Sequence, residues 1–187
     1  MEEVEGERMS RVRCGEVGVQ AGQNEGMVGW QALKLGRVKI NVDAGVKDGV
    51  GVGVGVVCRD STSKVLWGLA HRRKEGWDPH VAEVFAVLDG LEEAVKAGHS
   101  RVMVESDCSQ VIEALKRRKT RRSMFSLVLD DILHLCNSFN SVVWSFTSRS
   151  NNGIAYELAH VLLIGVDRMV WTDTLPPEVV ERLFVLA

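Results

Sequence analysis

Three carboxylates stand out from the other acids of this chain by their surroundings: Asp43 in Asn41-Val42-Asp43-Ala44, Glu83 in Ala82-Glu83-Val84-Phe85, and Asp107 in Val104-Glu105-Ser106-Asp107. Each is placed among apolar neighbours. Carboxylates that converge from separate segments are what a hard divalent cation needs, because Mg²⁺ takes oxygen ligands and keeps waters that a substrate phosphate can displace. Two such ions ~3.5–4 Å apart activate a water and stabilise a leaving oxygen. Singly, the acids have plainer readings: Asp107 as a helix cap, Glu83 as an acid favoured near a helix N-terminus, Asp43 as the end of a strand. The trio together points to a metal centre.

The elements that must position these acids follow from hydrophobic periodicity. Val38, Ile40 and Val42 alternate with Lys39, Asn41 and Asp43, which predicts a half-buried strand ending on the aspartate. Residues 49–57 read Gly-Val-Gly-Val-Gly-Val-Gly-Val-Val, with valines on one face and bare glycine backbone on the other, so something must approach that face closely. Turn residues at 59–64 and extended character over 65–71 complete an antiparallel meander. Val81, Val84, Phe85, Leu88, Leu91 and Val95 predict a helix over 80–97, stopped by Gly98, with Glu83 in its first turn.

A fourth strand over 101–105 leads into a helix capped by Ser106 or Asp107 and carrying Val111, Ile112 and Leu115, and another helix follows over 124–135. A fifth strand over 141–147 precedes a last helix over 154–164, with Asn151 and Asn152 as its caps. The order βββαβααβα implies an α/β fold: a five-stranded mixed sheet with helices on both faces, since the fourth strand returns parallel to a neighbour through a crossover helix.

The chain has 187 residues, 45% of them hydrophobic, enough for one core. Residues 1–36, rich in Gly, Glu and Gln and without sustained periodicity, are expected to be a disordered extension ahead of a domain over 37–166. Residues 167–187, with Trp171 and Pro176-Pro177, are expected to form a tail that packs without regular structure. A net charge of -2 excludes a uniformly basic binder, so a nucleic-acid surface must be a local patch. Cys14, Cys58, Cys108 and Cys136 show neither zinc-ligand spacing nor a disulfide framework. No signal peptide opens the sequence, and its longest apolar stretch, 158–166, is too short for a bilayer. These features predict a soluble intracellular monomer, in nucleus or cytoplasm, with no membrane partner.

The densest cationic run, Lys116-Arg117-Arg118-Lys119-Thr120-Arg121-Arg122, reads as a solvated helix terminus, a phosphate contact or a nuclear localisation signal. His71-Arg72-Arg73-Lys74 with Trp67 and Trp77 mixes cations and aromatics, and an edge strand with core tryptophans is its first reading. The alternating glycines lack the Lys-Ser/Thr of a phosphate loop; a strand whose backbone meets a sugar-phosphate groove and its ribose 2′-hydroxyls fits them better. Arg149 reads as a contact to phosphate or to a nearby acid.

Five segments in order, Lys39-Ile40-Asn41-Val42-Asp43-Ala44, Val57-Cys58-Arg59-Asp60, Ala82-Glu83-Val84-Phe85-Ala86, Val104-Glu105-Ser106-Asp107 and Arg149-Ser150-Asn151-Asn152-Gly153-Ile154-Ala155, resemble the plant ribonuclease H-like, reverse-transcriptase-related family. The resemblance implies the ribonuclease H fold and endonucleolytic, Mg²⁺- or Mn²⁺-dependent hydrolysis of RNA paired with DNA. It assigns catalytic and metal-binding roles to Asp43, Glu83 and Asp107, and a basic protrusion to Lys116, Arg117, Arg118, Lys119, Arg121 and Arg122. Family members place a fourth acid, replaced by histidine in some plant relatives, on the last helix; here Tyr156 occupies that position. A phenol with pKa near ~10 is a poor metal ligand. The alternative function is thus a catalytically weakened or inactive nucleic-acid-binding module derived from a retroelement.

Overall fold

Strand alternation and helical spacing become elements close to the expected bounds in a computed structural model, which describes residues 36–47, 51–73, 77–117, 123–161 and 167–185. Strands β1 (Val38–Lys47), β2 (Gly51–Arg59) and β3 (Val65–Arg73) form the antiparallel meander. Helix α1 (Pro79–Lys96) leads to β4 (Arg101–Ser106), which lies parallel to β1. Then come α2 (Ser109–Arg117), α3 (Met124–Leu135), β5 (Ser141–Phe146) parallel to β4, and α4 (Gly153–His160). Of the expected extension over 1–36, residues 1–35 lie outside the described residues.

The tail does have regular structure. Residues 168–172 form β6 (Arg168–Thr172), antiparallel to β3, and α5 (Pro177–Val185) follows. The sheet thus has six strands, in the order β5-β4-β1-β2-β3-β6, where five were expected. Proline at the first position of α5, where a helix has no use for its N–H, and Glu178 in the first turn are the local start signals.

Alternation divides the sheet into two faces. Ile40, Val42, Val52, Val54, Val56, Val102 and Val104 are fully buried in the larger core, with Val84, Val87 and Leu91 of α1 and Ile132 of α3. The opposite face holds a smaller cluster, Val57, Ala155, Leu158 and Val179, formed with α4 and α5. Helix α1 begins with Asp78 accepting the His80 N–H at 2.9 Å and ends at Gly98, whose φ of +75° suits a residue without a Cβ.

The approach anticipated at the glycine face of β2 comes from α4, not from a sugar-phosphate groove. A Cβ on Gly53 would lie 1.9 Å from the Ala159 carbonyl oxygen, and one on Gly55 would lie 2.0 Å from that of Ala155. The face is closed to a nucleic acid. The aromatics near the end of β3 are structural as well: Trp67 is buried and donates to His99 at 3.2 Å, while Trp77 stacks on Phe85 with centroids 4.0 Å apart. His71 and Arg73 bind the buried Asp89 at 2.8 and 2.6 Å. Among the described residues, no helix is long and apolar enough to cross a membrane.

Candidate metal centre

Parallel pairing of β1 with β4 brings two of the acids together, because Asn41 lies in register with Glu105 and the chain continues to Asp43 on one strand and past Ser106 to Asp107 on the other. Glu83 arrives from α1, in its second turn and not its first. One carboxylate oxygen from each of Asp43, Glu83 and Asp107 lies within 4.8 Å of the others.

Such crowding away from water disfavours the charged forms. Burial first, then the charge of Asp107 and a hydrogen bond with it, push the Asp43 carboxyl up to about 8 from 3.8. Burial and the charges of Asp43 and Asp107 push Glu83 up to about 9 from 4.5. Arg149 and the Ala44 amide pull both acids the other way without prevailing. Among the described residues Glu83 Oε2 is buried without a hydrogen-bond partner, which leaves its lone pairs for a cation. Three hard oxygen donors, one of them orphaned, fit a divalent metal ion.

Beneath the acids runs a buried polar chain. Asn152 was expected to cap α4 with its side chain, yet it makes no such bond. Its Nδ2 donates to the Val42 carbonyl at 2.9 Å and to Asp107 Oδ1 at 3.1 Å, and its Oδ1 accepts from Asn41 Nδ2 at 3.3 Å. Asn41 Nδ2 also donates to Glu105 Oε2 at 3.1 Å, and Asn41 Oδ1 accepts from Arg59 at 2.7 Å. Lys39 pairs with Glu105 at 2.9 Å. Sequence reasoning gave Asn41, Arg59, Glu105 and Lys39 no part in the site. The available signal was pairing: Lys39 is opposite Arg59 and Asn41 beside Glu105, so four polar groups share one face between buried valines.

Tyr156 is half-buried on α4 and is not among the three clustered ligands. Its ring stacks on His160 with centroids 4.1 Å apart and lies beneath the Arg149 guanidinium, 4.6 Å from the ring centroid. Of the cationic run, Lys116 and Arg117 end α2 on the surface, with Arg117 paired to Glu113 at 3.0 Å. Arg118, Lys119, Arg121 and Arg122 lie outside the described residues.

Comparison with known proteins agrees with this architecture. RNase H1 from the halophilic archaeon Halobacterium salinarum superposes with a TM-score of 0.62 at 20% identity, over 67% of this chain and 96% of its own. The N-terminal RNase H domain of a Mycobacterium tuberculosis protein gives 0.61 at 25% identity, over 66% and 91%. LC11-RNase H1, solved in complex with an RNA/DNA hybrid, gives 0.60 at 22% identity, over 66% and 94%. No curated protein matches the chain. The sequence model of the Reverse transcriptase-like family matches residues 41–161, which contain all three acids and the polar chain's Asn41, Arg59, Glu105 and Asn152. The chain therefore belongs to the Reverse transcriptase-like family and carries an RNase H-like domain.

Proposed function

We propose that this protein is a metal-dependent endonuclease that hydrolyses the RNA strand of RNA–DNA hybrids, with Asp43, Glu83 and Asp107 holding Mg²⁺, or Mn²⁺ in its place. One observation carries this reading: three carboxylates from β1, α1 and the end of β4 converge within 4.8 Å on an RNase H-like sheet. The hybrid bound by LC11-RNase H1 supports the choice of substrate.

When bound, divalent ions at such a cluster supply an activated water and neutralise the oxygen that leaves phosphorus. The residues do the rest. Asp43 and Glu83, whose carboxyls burial pushes up to about 8 and about 9, would give up protons on holding such an ion, which would tie ion binding to pH. Asn152 donates to one oxygen of Asp107 and leaves the other for a ligand, while its bond to the Val42 carbonyl fixes that donor against β1. The purified chain should nick the RNA strand of a labelled hybrid in Mg²⁺ or Mn²⁺. Full binding without cleavage in either ion would overturn the hydrolytic reading.

A second reading, binding without turnover by a retroelement-derived module, is favoured by Tyr156, which puts a neutral ring at the position the family gives to a fourth acid. Under it, the wild type binds hybrid and stays inert, and Tyr156→Asp gains cleavage.

A further inference from the structure

A guanidinium carries donors and no acceptor, and an ionised carboxylate carries acceptors and no donor. A side-chain amide between them must turn its oxygen to the first and its NH2 to the second. Strands β1 and β2 set up such a series beneath the acids. Arg59 lies opposite Lys39, two residues before Asn41 on the same face of β1. It donates to Asn41 Oδ1 at 2.7 Å, which leaves Asn41 its Nδ2 for its other neighbours. Those two protons go to Glu105 Oε2 at 3.1 Å and to Asn152 Oδ1 at 3.3 Å. Asn152 is thereby turned the same way, and its Nδ2 donates to the Val42 carbonyl at 2.9 Å and to Asp107 Oδ1 at 3.1 Å.

Both protons of each NH2 are used, and each amide oxygen accepts. Asn41 and Asn152 are fully buried, so water does not replace a lost partner, and an amide turned the wrong way would set oxygen against oxygen. Three bonds in series thus run from Arg59 to Asp107, all in one direction. That direction is fixed at Arg59, the one member of the series that can only donate. The series starts on β2, a strand that contributes no carboxylate to the cluster.

We propose that Arg59 is a positioning residue of the metal centre: through Asn41 it orients Asn152, so that Asp107 meets an N–H at one oxygen and keeps the other for an ion. The proposal rests on the metal-centre reading for its consequence, but the relay itself is measurable in the ion-free chain.

Two readouts on the full chain separate relay from metal binding. In EDTA, ¹H–¹⁵N NMR follows the side-chain NH2 signals of Asn152, identified by their loss in Asn152→Ala. Calorimetry gives the Mg²⁺ affinity. Arg59→Lys still only donates, so it should keep two resolved, slowly exchanging Asn152 protons and bind Mg²⁺ within about threefold of wild type. Arg59→Gln offers Asn41 an oxygen as readily as an NH2. It should speed exchange of the Asn152 protons about tenfold or more and weaken Mg²⁺ binding about threefold or more, while the backbone amides of β1 and β4 stay protected. Added to Asn152→Ala, which removes the last link, Arg59→Gln should cost less than about twofold more. Where Arg59→Gln does not fold, Asn41→Ser breaks the middle link and carries the same cycle.

Unchanged Asn152 signals in Arg59→Gln, or losses of affinity that add fully in the double variant, would overturn the relay and leave the metal-centre reading standing. Equal loss of protection along β1 and β4 would mark Arg59 as a support of the sheet alone and overturn the proposal too. Arg59-dependent Asn152 signals in a chain that binds no Mg²⁺ would support the relay and overturn the metal site, and the hydrolase reading with it.

Discussion

Asp43 and Glu83 each hold a proton that a metal ion must displace, and this has a measurable sign. Their carboxyls rise to about 8 and about 9 on folding, from 3.8 and 4.5, so between roughly pH 5 and 9 the ion-free folded chain binds more protons than the unfolded one. Stability must then fall as pH rises through that window, by up to about 1.4 kcal/mol per pH unit for each extra proton. Denaturant melts in EDTA from pH 5 to 9 should show the decline, Glu83→Gln should reduce it, and a flat profile would contradict the burial described for these acids. Mg²⁺ binding at neutral pH should release protons, visible by calorimetry as heats that change with the buffer's ionisation enthalpy. Asn152→Ala should leave the three acids in place yet cost about 10–100-fold in metal affinity, the usual effect of removing a ligand's hydrogen-bond partner.

At the scale of elements, the two faces of β2 respond differently to substitution. Gly53→Ala and Gly55→Ala drive a methyl into the backbone of α4, which cannot yield without the helix lifting, so each should lower stability by about 3 kcal/mol or more. Gly90→Ala on α1 meets only side-chain methyls of Ile40, Val42 and Val56 at 3.2–3.3 Å and should cost less. Denaturant midpoints of the three variants check the ranking.

The same strand shows what was legible beforehand. Its glycine period revealed that a close neighbour must exist, but a local pattern carries no information about which distant segment it is, so a nucleic acid was assigned to a face that α4 covers. Helix α3 was legible to the residue, because its apolar spacing agrees with a Ser123 cap at one end. Strand β6 escaped notice because it lies at the edge, its residues alternate only between exposed and half-buried, and hydrophobic period was the signal sought. The acids were found by their apolar surroundings; Asn41 and Asn152 were not, because their partnership spans 111 positions and exists only in the folded chain.

For the whole molecule, the C-terminal elements are a brace. Strand β6 covers the edge of β3, Val179 of α5 is fully buried with Ala155 and Leu158 of α4, and Arg168 of β6 pairs with Glu93 of α1. Removing residues 167–187 should uncover a strand edge and loosen α4. The shortened chain should aggregate more readily in light-scattering assays, melt at lower temperature and bind Mg²⁺ more weakly than the full chain. Equal stability and metal affinity in the two chains would show that the brace is dispensable.

The bond from Asn152 to Asp107 also sets an order in time. A chain is synthesised from its N-terminus, at about 5–20 residues per second, so Asp43, Glu83 and Asp107 all exist before the residue that holds the third of them. During that interval β2 presents a bare glycine face and Asp107 lacks its tether. Only when α4 docks does Asp107 gain the bond that tethers it. Docking of α4 thus acts as a maturation step, and a growing polypeptide carries its ligands without a finished centre.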